Sequence, residues 1–421
     1  LKTNESYVWG MTRAGDNIFF GTGSNVNCLV EATYLGAGGG GYAHMNEDNV
    51  CMGIDPETGL PLDWYPPSMY MYNDTDGLVF LNNRIGFIDN ILLNFTIGIR
   101  SAGYYAADDI VFLAGPGVPE QPDDPVGVTG GVNIFAFDGS TGNFLTRCPK
   151  LGNELSEYSN IRKWIAHDGE LYVGVGTGEI VGGELGGGKV LKWTGSRSGS
   201  SVDCDFEIVG SGLDGVATEL AVHEDRLFVT TWAGGMGGTH GAALWMSDEI
   251  PAGGLTNANA DTWQMMWNAR DNFDPDPVTA ASYGGGALAS FDGWLYWGDM
   301  HVPQLGLLFH VLTYGEPTDQ WGWWQAIQNT ERPINIFRGR NFASAPQMDV
   351  LYGSEEMPAY LCPGATPPGT GLPDAMTWQP DPTKKPDPTQ IFGGPGLGNC
   401  DTNSTLTMDV LDGSRYLGTM D

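Results

Sequence analysis

The residues able to do chemistry in this 421-residue chain are few and widely spaced. His240 stands near the end of a Gly-rich run, and His301 ends the segment GGALASFDGWLYWGDMH with Asp299 and Met300 beside it. Glu179 and Glu184 lie in a second Gly-rich run, and Asp421 follows the last predicted strand. Two imidazoles and a few carboxylates brought together would suit a transition metal. The spacing is not diagnostic, because there is no HExxH pattern and no His pair on one element. A hydrogen-bonding role is the competing reading for each His. Asp271, Asp274 and Asp276, in ARDNFDPDPVTA, put several oxygens on a short stretch, the donor type that calcium takes. The stretch lacks the Gly and the Glu of an EF-hand loop, and an exposed Pro-rich turn is the alternative.

Trp321, Trp323 and Trp324, in QWGWWQ, would suit a carbohydrate or protein partner if exposed, and a local mini-core if not. Arg162 and Glu219 each precede a turn acid, Asp168 and Asp225, by six residues. An ion pair between neighbouring inner strands is their expected role, with substrate binding as the alternative. His167 and His223 fall beside turns. No nucleophile elbow, Ser-His-Asp order or phosphate-cradling loop is present.

The cysteines are Cys28, Cys51, Cys148, Cys204, Cys362 and Cys400, with no CxxC spacing. Scattered cysteines in even number point to disulfides and an oxidising compartment. Sequential pairing is expected, Cys28–Cys51, Cys148–Cys204 and Cys362–Cys400, among the connectivities that six cysteines allow. Sequons at Asn4, Asn73, Asn94 and Asn403 point the same way.

One hairpin pattern recurs along the chain. It reads WGMTRAGDNIFFGTG at 9–23, RSAGYYAADDIVFLAG at 100–115, RKWIAHDGELYVGVG at 162–176 and ELAVHEDRLFVTTWA at 219–233. It returns at 285–301 and as MDVLDGSRYLGTMD at 408–421. Each copy is a strand, a tight turn and a second strand. A second hairpin type, with Asp and Thr-Gly in its turn, appears as CMGIDPETGLPLDW at 51–64 and IFAFDGSTGNFLTR at 134–147. Alternation of the two types predicts four-stranded blades, with strands a–b inside and c–d outside. Further outer strands are expected at 189–194 and 204–209, at 242–246 and 262–267, and at 334–338 and 348–352.

The D-x-x-T-G hairpin resembles the outer hairpin of PQQ-type β-propeller repeats, and the whole pattern resembles β-propellers. The resemblance implies an all-β architecture and carries no catalytic residue across. Six blades are favoured over seven, the last incomplete, in a single domain spanning 1–421. Residues 68–97, with GLVFLNNRIGFI at 77–88, could hide an extra hairpin. The a–b and c–d turns are tight, whereas the b–c and d–a connections are long, at 23–48, 66–97, 116–130, 300–333 and 354–405. In an antiparallel blade the long connections share one end, so the decoration falls on one face, where loops on a rigid scaffold bind things.

The net charge of −32, from 51 acidic and 19 basic residues, disfavours a nucleic-acid partner. The acids are spread rather than blocked, which describes an acidic surface with solubility or calcium binding as its uses. No apolar run approaches the ~18 residues of a membrane span. The start at Leu1 fits a processed or trimmed N-terminus. These features together predict a secreted or cell-surface binding or assembly module acting on a protein or carbohydrate partner. The competing classes are a metal- or quinone-dependent extracellular enzyme with its site near His240, His301 and Glu179, and a glycan-binding lectin using the Trp cluster.

Overall fold

The computed structural model describes residues 5–24, 65–118, 130–149, 157–176, 187–232, 241–274, 276–301, 303–317, 319–353, 393–399 and 402–420. The fold is all-β, with four-stranded antiparallel blades in a propeller arrangement. The chain divides into two compact units, one of them Leu1–Gly183, Lys189–Ser211 and Pro251–Ala260, the other Glu184–Gly188, Gly212–Ile250 and Asp261–Asp421.

The first unit carries three blades. Blade one is β1 (Glu5–Ala14), β2 (Asn17–Ser24), β3 (Met69–Asn73) and β4 (Gly77–Phe80). Blade two is β5 (Ser101–Tyr105), β6 (Ile110–Pro116), β7 (Val132–Asp138) and β8 (Phe144–Arg147). Blade three is β9 (Asn160–His167), β10 (Glu170–Gly176), β11 (Gly188–Trp193) and β14 (Phe206–Leu213). A small hairpin, β12 (Ser196–Ser198) and β13 (Ser201–Asp203), sits between its outer strands. Gly103 on β5 sits against the Trp164 ring of β9, so that a Cβ there would lie 2.6 Å from the indole. Bare backbone is what lets successive inner strands approach this closely. Aromatics fill the space between blades two and three: Phe112 stacks on Trp164 at 5.2 Å, and Trp193 meets Phe206 edge-on at 5.2 Å. Aromatic side chains supply the bulk that stacked blade faces need.

The second unit carries two blades and a hairpin. Blade four is β15 (Ala217–His223), β16 (Arg226–Thr231), β17 (Ala243–Glu249) and β18 (Gln264–Asn268). Blade five is β19 (Tyr283–Phe291), β20 (Trp294–His301), β21 (Ile336–Arg340) and β22 (Gln347–Tyr352). The hairpin β23 (Ser404–Leu411) and β24 (Ser414–Met420) joins the sheet of blade five through a single bridge, Met300 to Ser404. Trp267, Trp297, Phe337 and Phe273 form the core of this unit.

All the recurring a–b hairpins form as read. Their turns hold φ > 0 where Asp-Gly is written, with Asp168 at 49° and Gly169 at 86°, and Asp292 at 50° and Gly293 at 72°. That backbone matches the twist of the flanking strands. The Glu224–Asp225 turn adopts the same strained values without Gly. Its Glu224 carboxylate accepts the backbone N–H groups of Asn341 at 2.6 Å and Phe342 at 3.2 Å, tying the turn to the next blade.

The structure departs from the pattern in three places. Blade one takes its outer strands from β3 and β4, inside the 66–97 stretch read as a connection, and the 51–64 hairpin lies outside the described residues. The hairpin expected within 68–97 therefore exists, and it completes blade one rather than adding a blade. The described strands give five four-stranded blades rather than six, because β23 and β24 have no c and d partners among the described residues. Residues 300–333 are helical: α4 (Pro303–Tyr314) and α5 (Gln320–Thr330) replace the expected irregular loop. Asp319 caps α5 by accepting the Gly322 N–H at 2.7 Å. Among the described residues three shorter α-helices occur, α1 (Phe87–Asn94), α2 (Ala269–Asn272) and α3 (Pro277–Ala280). Among the described residues no helix is long and apolar enough to cross a membrane.

Candidate functional site

The second unit buries a polar cluster where blade five gives way to the helical insert. β20 ends on Asp299 and His301, and β19 begins on Tyr283. Asp274 follows α2, Asp276 caps α3, His310 projects from α4, and Arg332 and Asn335 lie on the strap between α5 and β21. Asp274, Asp276, Tyr283, Asp299, His301, His310 and Arg332 are each at most 1% exposed. Two groups singled out separately in the sequence, Asp299 with His301 and Asp274 with Asp276, therefore meet in one cluster.

Arg332 Nε donates to Asp274 Oδ2 at 2.9 Å, and the Tyr283 hydroxyl donates to the same oxygen at 3.1 Å. The other Asp274 oxygen accepts the Asp276 N–H at 2.9 Å. Burial drives the Asp274 carboxyl upward while Arg332 pulls against it. Burial likewise opposes the charge on Arg332, but Asp274, Tyr283 and Asp276 more than offset this and hold the guanidinium protonated. Arg332 Nη1 also bonds the carbonyls of Asn329 and Glu331, so the guanidinium fastens its own helix end as well as the carboxylate.

Asp276 bonds His310 Nε2 and accepts the Thr279 hydroxyl at 2.6 Å and the Val278 N–H at 3.0 Å. Burial raises its carboxyl, and the His310 bond and charge then bring it below the usual range. Asp299 accepts two hydrogen bonds from Asn335, from its backbone N–H and its side-chain amide, both at 2.8 Å. Burial pushes Asp299 up to about 7, against those hydrogen bonds. His301 is driven down to about 3 by burial and by the Arg332 charge, so its ring is neutral. Its Nδ1 faces the Arg332 N–H at 3.4 Å, which assigns the proton to Nε2. Among the described residues, His301 Nε2 and Arg332 Nη2 have no hydrogen-bond partner. Each such buried donor costs roughly 1–3 kcal/mol.

The arrangement fastens three chain segments with charge-assisted bonds. Its carboxylates are turned to protein donors, and among the described residues no group of His, Cys, Asp or Glu is gathered as a metal cluster. Asp271 stands apart from the other two aspartates and bonds Asn268, accepting its Nδ2–H at 3.1 Å and donating its own N–H at 2.7 Å. His240 and Glu179 lie outside the described residues, as do Cys28, Cys51, Cys362, Cys400 and Asn4. Cys148 and Cys204 are joined as a disulfide, as sequential pairing predicts.

Trp321, Trp323 and Trp324 lie on α5 rather than in a loop, and Trp323 and Trp324 are half-buried. Arg162 lies on β9 and Glu219 on β15, each partly buried and each in a different unit. Asn94 is exposed at the end of α1. Asn73 is committed to a turn: its amide donates to Asn17 at 2.8 Å, and its carbonyl accepts the N–H groups of Thr75 and Asp76. Asn403 is partly buried and accepts the Ser404 hydroxyl.

Sequence reasoning missed Arg332, Tyr283 and Asn335, and left His310 without a role. The one local signal was His310 inside the apolar run GLLFHVL, and nothing local pairs it or Arg332 with aspartates tens of residues away.

No family model matches the chain, and no curated protein matches it. Solved structures do. An exo-β-1,3-galactanase from Phanerochaete chrysosporium with β-1,3-galactotriose is similar at 7% identity and a TM-score of 0.36, over 69% of this chain and 55% of that one. A hypothetical selenium-binding protein from Sulfolobus tokodaii is similar at 8% identity and a TM-score of 0.43, over 81% of this chain and 64% of that one. The β-propeller domain of the Trilobed protease from Pyrococcus furiosus is similar at 9% identity and a TM-score of 0.32, over 83% and 72%. The chain thus spans between half and two thirds of the length of the first two. Likeness at this level transfers no activity.

Proposed function

We propose that this chain is a secreted or cell-surface β-propeller that works as a binding module, and that the helical insert of blade five is its contact surface for a protein partner. The observation that carries the reading is the pairing of a pinned base with an apolar outer side. Arg332 and His310 fasten the insert through Asp274 and Asp276, while Leu308, Leu312 and Ile327 on α4 and α5 stay 38%, 64% and 43% exposed. Buried ion pairs add little net stability, and fixing one geometry is their best-attested use. A rigid element that shows aliphatic side chains to solvent has the character of an interface core. The Cys148–Cys204 disulfide and the exposed sequon at Asn94 support an oxidising, secretory route. The half-buried state of Trp323 and Trp324 favours a protein partner over a glycan.

The test places a photo-crosslinking amino acid at position 312 and, as control, at exposed Ser200 in the β12–β13 turn. Intact producing cells or their culture medium are then irradiated. A discrete adduct at 312, absent at 200 and lost when Ile327→Asp is added, is the expected result. Failure of surface labelling to reach the protein, or identical adducts at both positions, would refute the reading. So would a stoichiometric transition metal in the purified protein that disappears in His301→Ala, because that outcome belongs to an enzyme.

A further inference from the structure

In the first unit, α1 (FIDNILLN) is apolar on two sides. Leu92 and Leu93 point inward, and Leu93 joins Leu81 and Ile85 in the core between blades one and two. Phe87 and Ile88 point outward at 83% and 71% exposure, with Ile91 at 37%. A helix that is apolar all round is the kind that a folded protein covers.

The helix is fixed at both ends. Arg147 Nε on β8 donates to Asp89 at 3.1 Å. The Thr96 hydroxyl donates to the Leu92 carbonyl at 2.9 Å and accepts the Asn133 amide at 2.8 Å. The Phe95 and Thr96 N–H groups bond the Leu92 and Leu93 carbonyls.

Asn94, Phe95 and Thr96 form a sequon, and Asn94 is exposed as the last residue of this helix. At about 100° per residue, Asn94, Phe87 and Ile91 share a stripe within about 60° of the helix circumference. Helical Cα–Cβ bonds lean toward the N-terminus, so a group carried by Asn94 extends over the preceding turns, across Ile91 first and Phe87 next. The stripe runs about 10 Å along the axis. That length is comparable with the paired N-acetylglucosamine core of an N-glycan.

We propose that an N-glycan on Asn94 covers this stripe, with its two core sugars laid along α1 against Ile91 and Phe87. The inference rests on the secretory route proposed above. The sugar comes from a lipid-pyrophosphate oligosaccharide. The Asn94 amide nitrogen bonds the anomeric carbon, the bond from that carbon to the phosphate oxygen breaks, and the amide loses one proton. The C–H faces and N-acetyl methyl groups of the core sugars are apolar, and they meet an aliphatic side chain and the face of an aromatic ring. The net charge of −32 disfavours an anionic lipid surface as the cover.

The test secretes the full chain from a eukaryotic host behind a cleavable leader and quantifies the Asn94 glycopeptide by mass spectrometry. Hydrogen exchange then compares this protein with Asn94→Gln. The amides of residues 88–94 should exchange about fivefold faster or more in the variant, while those of blade three stay unchanged. In a Phe87→Ser, Ile91→Ser background, Asn94→Gln should add no further acceleration, because the contact is already lost. Enzymatic removal of the glycan from the folded, otherwise unmodified protein should give the same acceleration, and it decides if a variant does not fold. A secreted chain with Cys148–Cys204 formed and Asn94 bare would overturn the inference and leave the secretory reading standing. Failure of export with those cysteines unpaired would overturn both. Equal acceleration in the two backgrounds would overturn the contact. So would binding of the glycosylated chain to phosphatidylcholine vesicles that Phe87→Ser abolishes, in favour of a lipid surface.

Discussion

Arg332 and Asp274 stand 58 positions apart and meet through one 2.9 Å hydrogen bond with both side chains buried. The bond joins the end of the helical insert to the segment that leaves blade four. Removing one partner would strand the other charge inside the protein. Arg332→Met should destabilise the chain by about 3–5 kcal/mol, and Arg332→Met with Asp274→Asn by clearly less. Urea unfolding of the two single variants and the double variant measures this. Additive losses would show that the pair does not act as a unit.

Asp299 and His301 give the stability a pH signature. In the unfolded chain they titrate near 4 and near 6.5. Asp299 is raised to about 7, so the folded state keeps its proton longer. Its contribution is full below about pH 4 and is lost as pH rises toward 7. His301 is depressed to about 3, so the unfolded chain takes the proton first. Its contribution is full above about pH 6.5 and is lost as pH falls toward 3. The slopes of these two groups oppose each other between about pH 4 and 6.5 and largely cancel there. His301→Gln should become less stable as pH rises through this window, and Asp299→Asn more stable. Urea midpoints across the window check both signs, and three parallel profiles would disprove the assignment.

The Cys148–Cys204 bridge closes a loop whose ends are 56 residues apart and joins the edge of blade two to blade three. Cys148→Ala with Cys204→Ala should cost about 2–4 kcal/mol. Peptide mapping without reductant should find the cross-link, and thermal melts of the double variant should show the loss.

Sequons with different surroundings should be used differently. Asn94 is exposed, whereas the Asn73 amide is spent on Asn17 and on its own turn. Expression through a secretory host should place a glycan on Asn94 and leave Asn73 bare. Site-resolved mass spectrometry after deglycosylation reads this directly. Asn73→Gln should lower the melting temperature without removing a glycan, since the longer side chain cannot form the same turn.

The seat of the β23–β24 hairpin depends on a missing side chain. Gly286→Ala would set a Cβ against the Thr405 hydroxyl and against the Thr405 and Asp299 carbonyls at 2.8 and 2.9 Å. Overpacking of this kind costs about 1–3 kcal/mol. The amides of residues 404–420 should exchange faster in this variant while those of blade four keep their protection.

The sequence alone determined the hairpins and hence the blades. A period-two pattern interrupted by Asp-Gly specifies two strands and the backbone between them through interactions a few residues long. The Cys148–Cys204 pairing is not local in this sense, since it joins the outer edges of blades two and three across 56 residues, and the order of the cysteines along the chain was its one signal. The first blade misled because 51–64 carries the clearer turn signal, yet 69–80 lies in register with β2. The helices of 303–330 misled because their apolar residues surround the helix rather than forming one stripe, which leaves no period to read. Only the tertiary structure could bring Asp274, Asp276, Tyr283, Asp299, His301, His310 and Arg332 together. They come from separate segments, 274–276, 283, 299–301, 310 and 332, and only burial together turned them into partners.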